Sequence, residues 1–338
     1  MSLFLRRELE RLTAGLRIPA SDNMDTRTKY FIIVLLSALV VAFESVAVEG
    51  ALNIADIDIL LVTTVPVLIG GLILLFATPK STIHFVKSID RKGWLALSAM
   101  CILGAFGTFL WFDSVGRIGA SKEAILGGGS TEVLVIVILS ALFLSEKLTK
   151  RETLGSMLVL TGVFVVLSNV ENLSLSIGLG ELEAMTSSFF FAGSVVITTY
   201  LLWSHDLTAL SGFQLLYTGA VLSIGALVLG VSAPHDLVAL AILLAIGIFP
   251  ALGLWMYNSG LPKIGASLTS VLFSLSGIMT VGVQIVIIVI FPEADMILPR
   301  DVPLALTGGL VAFIGVYLLN MKPNRNAPLE KKSAEGEI

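Results

Sequence analysis

Apolar residues fall into ten long blocks along this chain, each near the roughly 20 residues a helix needs to cross hydrocarbon. The blocks run at about 30–49, 58–78, 94–114, 122–144, 152–169, 180–203, 208–230, 236–257, 266–291 and 301–320. Short polar connections join them. The pattern predicts ten transmembrane helices with little room for a domain outside the membrane. About 29 polar residues precede the first block, without the apolar stretch of a cleavable signal peptide.

Composition agrees with this. Of 338 residues, 56% are hydrophobic and 14% are charged, against about 25% charged in soluble domains. Mean hydropathy is +0.95. The single cysteine, Cys101, leaves no internal disulfide and no cysteine-rich metal site. The net charge of −4 says little; its placement says more. With the N-terminus inside, 18 of the 21 Lys and Arg residues lie in inner segments, and only Arg117, Lys122 and Arg300 lie outside. That asymmetry predicts both termini in the cytoplasm and an even number of spans.

The chain also resembles itself. WFDSVGRIGAS (111–121) is similar to YNSGLPKIGAS (257–267), with RIGAS and KIGAS 146 residues apart. Gly155 and Gly162 sit seven apart in the fifth span, and Gly308 and Gly315 seven apart in the tenth. Five spans per repeat is an odd number, so the two halves must be inverted, as in secondary transporters. The expected organisation is a cytoplasmic segment 1–29, a first repeat 30–169, a second repeat 170–320 and a disordered cytoplasmic tail 321–338. Within the first segment Leu5, Leu9, Leu12 and Leu16 make the stripe of an interfacial amphipathic helix. Asn172-Leu173-Ser174 is a glycosylation sequon in an expected outer loop. The glycine pairs suit close helix packing, between the halves or between two copies in a homodimer.

Residues 116–166, GRIGASKEAILGGGSTEVLVIVILSALFLSEKLTKRETLGSMLVLTGVFVV, resemble the EamA family of the drug/metabolite transporter superfamily. In that family small residues lead into a helix with Glu-Pro at its middle. A second Glu follows fourteen residues later, then a short basic loop and a glycine-bearing helix. Glu132 and Glu146 match the two acids, and Gly155 and Gly162 the glycines. Val133 stands where the family has proline, and GGGS (127–130) is the local source of flexibility instead. In the second half SLSGIMTVGVQ (274–284) lacks the mid-helix carboxylate, and Pro292-Glu293 stands at the helix end. The resemblance implies a ten-helix carrier of inverted five-helix repeats that moves small metabolites without ATP.

Glu132 lies about ten residues below Lys122, roughly 15 Å into the membrane. A charge there costs at least about 2.5–3.5 kcal/mol. The acid either faces a watery cavity, pairs with a cation, stays protonated, or is held structurally by hydroxyls. Glu44, in the outer half of the first span, either shares that cavity or sits with Glu49 at the outer headgroups, solvated and silent. Lys122 either snorkels outward or pairs with Asp113 or Glu44 as an outer gate. Trp111 and Tyr257 at helix ends are interface anchors or substrate stackers, and Asn258 is the polar residue nearest an apolar stretch. Ser187, Ser194 and Thr198 make one polar stripe on the sixth span, suited to a cavity wall or to helix packing.

These features point to a multi-pass plasma-membrane secondary transporter for an amino acid or amine, with Glu132, Glu44, Ser187, Ser194, Trp111, Tyr257 and Asn258 as binding or coupling residues. Partners are a small-molecule substrate, the bilayer and, if Glu132 exchanges them, protons; no nucleic acid, metal or cofactor is expected. The alternative is a membrane-embedded enzyme or a receptor without transport activity. The first needs paired Asp or clustered His ligands, and the second an output domain; neither pattern is in the sequence, so the protein is read as no enzyme.

Overall fold

The computed structural model describes residues 24–53, 55, 57–135, 150–169, 174–175, 177–202, 205–231, 236–264, 266–292, 296–299 and 302–320. The leucine stripe at 5–16, Glu146, most of the sequon, Glu293, Arg300 and the C-terminal tail lie outside them.

The regular structure of the described chain is helical apart from one antiparallel two-residue pair, β1 (Ser168–Asn169) with β2 (Ser174–Leu175). Helices α1 (Met24–Asn53), α2 (Ile59–Ala77), α3 (Pro79–Ser88) and α4 (Arg91–Ile118) come first. Then follow α5 (Ala120–Leu126), a π-helical turn at Gly127–Thr131 and, beyond residue 149, α6 (Lys150–Leu167). The second half holds α7 (Leu179–Leu202), α8 (Leu207–Val228), α9 (Leu237–Ile246), α10 (Ile248–Ile264), α11 (Ala266–Phe273), α12 (Ser276–Ile290) and α13 (Val302–Asn320). Seven described helical stretches are long and apolar enough to cross a membrane, counting α9 with α10 and α11 with α12 as one each. The expected fourth span is described only to Val135. The fifth is the shorter apolar stretch Thr153–Leu167, and the sixth is the 24-residue α7, which opens near Glu181 and Glu183.

Aspartates start many of these helices. Asp58, Asp90, Asp206 and Asp236 accept backbone N–H bonds at the starts of α2, α4, α8 and α9, at 2.7–3.0 Å. Each satisfies amides that a helix start leaves free. Breaks have local causes as well. Pro250 offers no N–H to the Ile246 carbonyl and crowds it, so the eighth span breaks at Gly247. Helix α3 was expected to be loop. Pro79 opens it, and Phe85, 1% exposed, stacks on Phe213 with ring centroids 5.0 Å apart.

The main helix contacts are α6 with α13, α4 with α7, α2 with α8 and α1 with α10. The first depends on glycine. A Cβ on Gly162 would strike Gly308 O and Ala312 N, and a Cβ on Gly315 would lie 2.7 Å from Gly155 O. The two glycine pairs read from the sequence therefore meet within one chain, backbone against backbone.

Candidate functional site

Where α4 ends, Gly119 adopts φ +81° and leaves no room for a side chain against Ile297 O. The turn brings α5 back into the bundle, with Glu123 on its inward face. The π-turn then interrupts the helix. Side chains serve the carbonyls at the junction: Thr131 Oγ1 donates to Leu126 O, and Ser188 of α7 donates to Gly127 O at 3.1 Å. The next residue is Glu132.

Glu132 faces a cavity of about 180 Å³, measured as space open to the centres of water molecules. That is room for on the order of a dozen waters or one small metabolite. Its walls come from α1, α2, α4, α5, the π-turn, α7, α8, α10, α11 and α12; α6 and α13 contribute none of them. Three carboxylates line it: Glu44, Glu123 and Glu132. Glu123, 1% exposed, accepts a 2.6 Å hydrogen bond from Trp111 Nε1. Glu44 is 3% exposed, and neither it nor Glu132 has a hydrogen-bond partner among the described residues. Among the described residues, the lining includes no Lys, Arg or His.

The structure brings six of the sequence candidates together on this wall: Glu132, Glu44, Ser187, Ser194, Trp111 and Tyr257. Asn258 stands behind it, donating to Ser211 Oγ at 2.9 Å and lying 3.5 Å from Oε1 of Gln214, itself a lining residue. Thr198 points to Met100 Sδ and Ser194 O instead. Sequence reasoning did not select Glu123, Thr108, Gln214, Thr218, Ser276 or Thr280. Glu123 carried a signal, an acid nine residues before Glu132.

Lys122 and Asp113 lie outside the cavity and do not pair with each other. Lys122 Nζ meets Glu181 Oε1 of α7 at 2.5 Å. Asp113 binds Arg117 one helical turn away at 3.0 Å, and Arg117 Nε faces Glu183 at 3.1 Å. Among the described residues Lys122 pairs with neither Asp113 nor Glu44; instead Lys122–Glu181 ties α5, and Asp113–Arg117–Glu183 ties α4, to the start of α7.

Glu49 also corrects its expectation. It is 0% exposed, not solvated. Its carboxylate accepts from Ala120 N at 2.9 Å, Gln284 Nε2 at 2.8 Å and Ile297 N at 2.5 Å. Gln284 Oε1 in turn accepts from Ser121 N and Oγ. One acid therefore ties α1 to the α5 turn, α12 and the segment before α13.

Together these features define a multi-pass membrane protein enclosing an acidic cavity within its spans. Residues 28–168 match the EamA-like transporter family. The chain is 26% identical over 272 residues to an uncharacterized transporter of Methanothermobacter thermautotrophicus, covering 75% of each. A solved crystal structure of a protein shares the fold with TM-score 0.58 at 16% identity, over 88% of this chain and 96% of that one. The matched family and the relative are both described as transporters.

Proposed function

We propose that this protein is a secondary transporter that carries a small amine-bearing metabolite, an amino acid or an amine, across the plasma membrane by alternating access. The observation that carries the reading is the pair Glu44 and Glu132, two acids without hydrogen-bond partners among the described residues, facing one cavity inside the spans. An acid placed there has a desolvation cost that a structural role would normally offset with donors. Here the offset is left for a substrate amine or a proton. Exchange of one for the other at these carboxyls would keep the cavity's charge constant through the cycle.

We read the architecture as ten spans in two inverted repeats, with both termini cytoplasmic. The cavity wall supports this. Trp111 and Tyr257 line it and stand 146 residues apart, as do Val41 and Ser187, Ser45 and Phe191, Gly104 and Pro250, Thr108 and Leu254, and Gly127 and Phe273. The RIGAS–KIGAS spacing is the same. The helix contacts support it too. A two-fold relating the repeats exchanges the α4–α7 pair with α10–α1 and maps α2–α8 and α6–α13 onto themselves. Gly162 and Gly308, again 146 apart, meet where such an axis would cross. The Lys122–Glu181 and Arg117 cluster and the Glu49 junction then lie at the outer end, where a gate belongs.

The test is solute flux in proteoliposomes against a panel of amino acids and amines. Wild type should move at least one member, and Glu132→Gln should abolish that flux while keeping a monodisperse, folded protein. Normal flux by Glu132→Gln removes the residue from the mechanism, and no flux of any member sinks the transporter reading.

A further inference from the structure

The cavity that the transporter reading rests on also selects among substrates. An amino acid brings its own carboxylate, which needs donors or a cation. Among the described residues, the lining holds three carboxylates and no basic side chain. Most of the hydroxyls are already committed: Ser45 donates to Val41 O at 3.1 Å, Ser187 to Ala184 O at 2.8 Å, Thr280 to Ser276 O at 2.8 Å and Thr218 to Cys101 O at 3.4 Å. A helix start could also hold an anion, and α12 begins at Ser276 in the wall. Its preceding residue, Leu275, is itself in helical conformation (φ −66°, ψ −16°), and its N–H donates to Leu272 O, so helical winding carries over from α11.

For a cation the same wall is favourable. Glu44, buried and without a donor, aims into it. Two aromatic pairs complete it: Trp111 with Phe191, centroids 6.1 Å apart, and Tyr257 with Phe273, 4.8 Å apart. Ring faces attract cations and also cover apolar surface. We infer that the cavity takes an organic cation lacking a carboxylate, an amine or quaternary ammonium on an apolar or aromatic body, with its charge at Glu44 and Glu132 and its body against the rings.

Matched ligand pairs test this on purified full-length protein. Phenethylamine is titrated against phenylalanine and tryptamine against tryptophan, with 2-phenylethanol as the uncharged control. Each amine should bind at least tenfold tighter than its amino acid and than the alcohol. Glu44→Gln should weaken amine binding at least tenfold, and Glu44→Asp should recover part of it if the carboxylate itself is the contact. Equal or tighter binding of the amino acids overturns the inference, as does Glu44→Gln with unchanged amine affinity or an absence of amine binding. Counterflow in proteoliposomes separates this failure from the broader one: amino-acid flux without amine flux refutes the cation class and leaves the transporter standing.

Discussion

Gln284 donates a 2.8 Å hydrogen bond to Glu49 across 235 residues of chain, with both side chains fully buried. The bond joins α1 to α12, and Ala120 N and Ile297 N converge on the same carboxylate. Glu49→Ala should destabilise the protein by about 3 kcal/mol or more, because two buried donors and one partly buried donor lose a charged acceptor. Glu49→Gln should cost less but not nothing, since its amide group turns a donor toward donors. Thermal unfolding in detergent checks the order; Glu49→Ala melting with wild type would mean that water replaces the carboxylate.

Trp111→Phe keeps the ring and removes the indole N–H. Glu123 then loses its hydrogen bond, at a cost of about 1.5–3 kcal/mol. Glu123→Gln can still accept from Trp111 and should be milder. Combining the two changes should give less than the sum, since both act on one bond. A strictly additive double mutant would deny the coupling.

The charge cluster is uneven. Arg117 is 46% exposed, and Arg117→Gln should change stability by less than about 1 kcal/mol, as at other solvated ion pairs. Lys122 and Glu181 are 18% and 6% exposed. Lys122→Gln should cost more, about 2 kcal/mol, by leaving Glu181 buried beside a weaker partner. Melting curves at low and high salt should show the Arg117 effect shrinking with salt and the Lys122 effect largely retained.

Two glycines make a paired comparison. Gly162→Ala pushes a Cβ into the backbone of α13 and should destabilise by several kcal/mol, in the range of overpacked cores. Gly225, in α8, has nothing within 4 Å of its would-be Cβ. Gly225→Ala should stabilise by about 0.5–1 kcal/mol through helix propensity. Equal effects at the two sites would rule out the tight α6–α13 contact.

Much of the fold was legible because a spanning helix announces itself by length and hydropathy alone. The glycine pairs were legible for a similar reason: seven-residue spacing puts both on one helix face. Glu132 and Glu44 were legible as acids out of place in apolar blocks. Glu49 was not, because Ala120, Gln284 and Ile297 lie 71, 235 and 248 residues away. Near a helix end, nothing local distinguishes a buried acid from a solvated one. The partner of Lys122 was missed likewise. Asp113 is close in sequence, but Arg117 on the next turn takes it, and Glu181 comes from another helix.

The π-turn at Gly127–Thr131 has an angular consequence. Residues of an α-helix advance by about 100° each, so Glu123 and Glu132 would point to opposite sides of a regular helix. A π-turn absorbs roughly one extra residue. The two acids then end about 80° apart, and both look inward. The fourth span therefore behaves as if it were one residue shorter than it is. Removing one glycine from GGGST should leave the compass bearing of Glu132 unchanged, whereas tightening the same five residues into an α-turn would swing it about a quarter-turn away. How many acids the cavity holds is thus set by the winding of the backbone as well as by the residues on it.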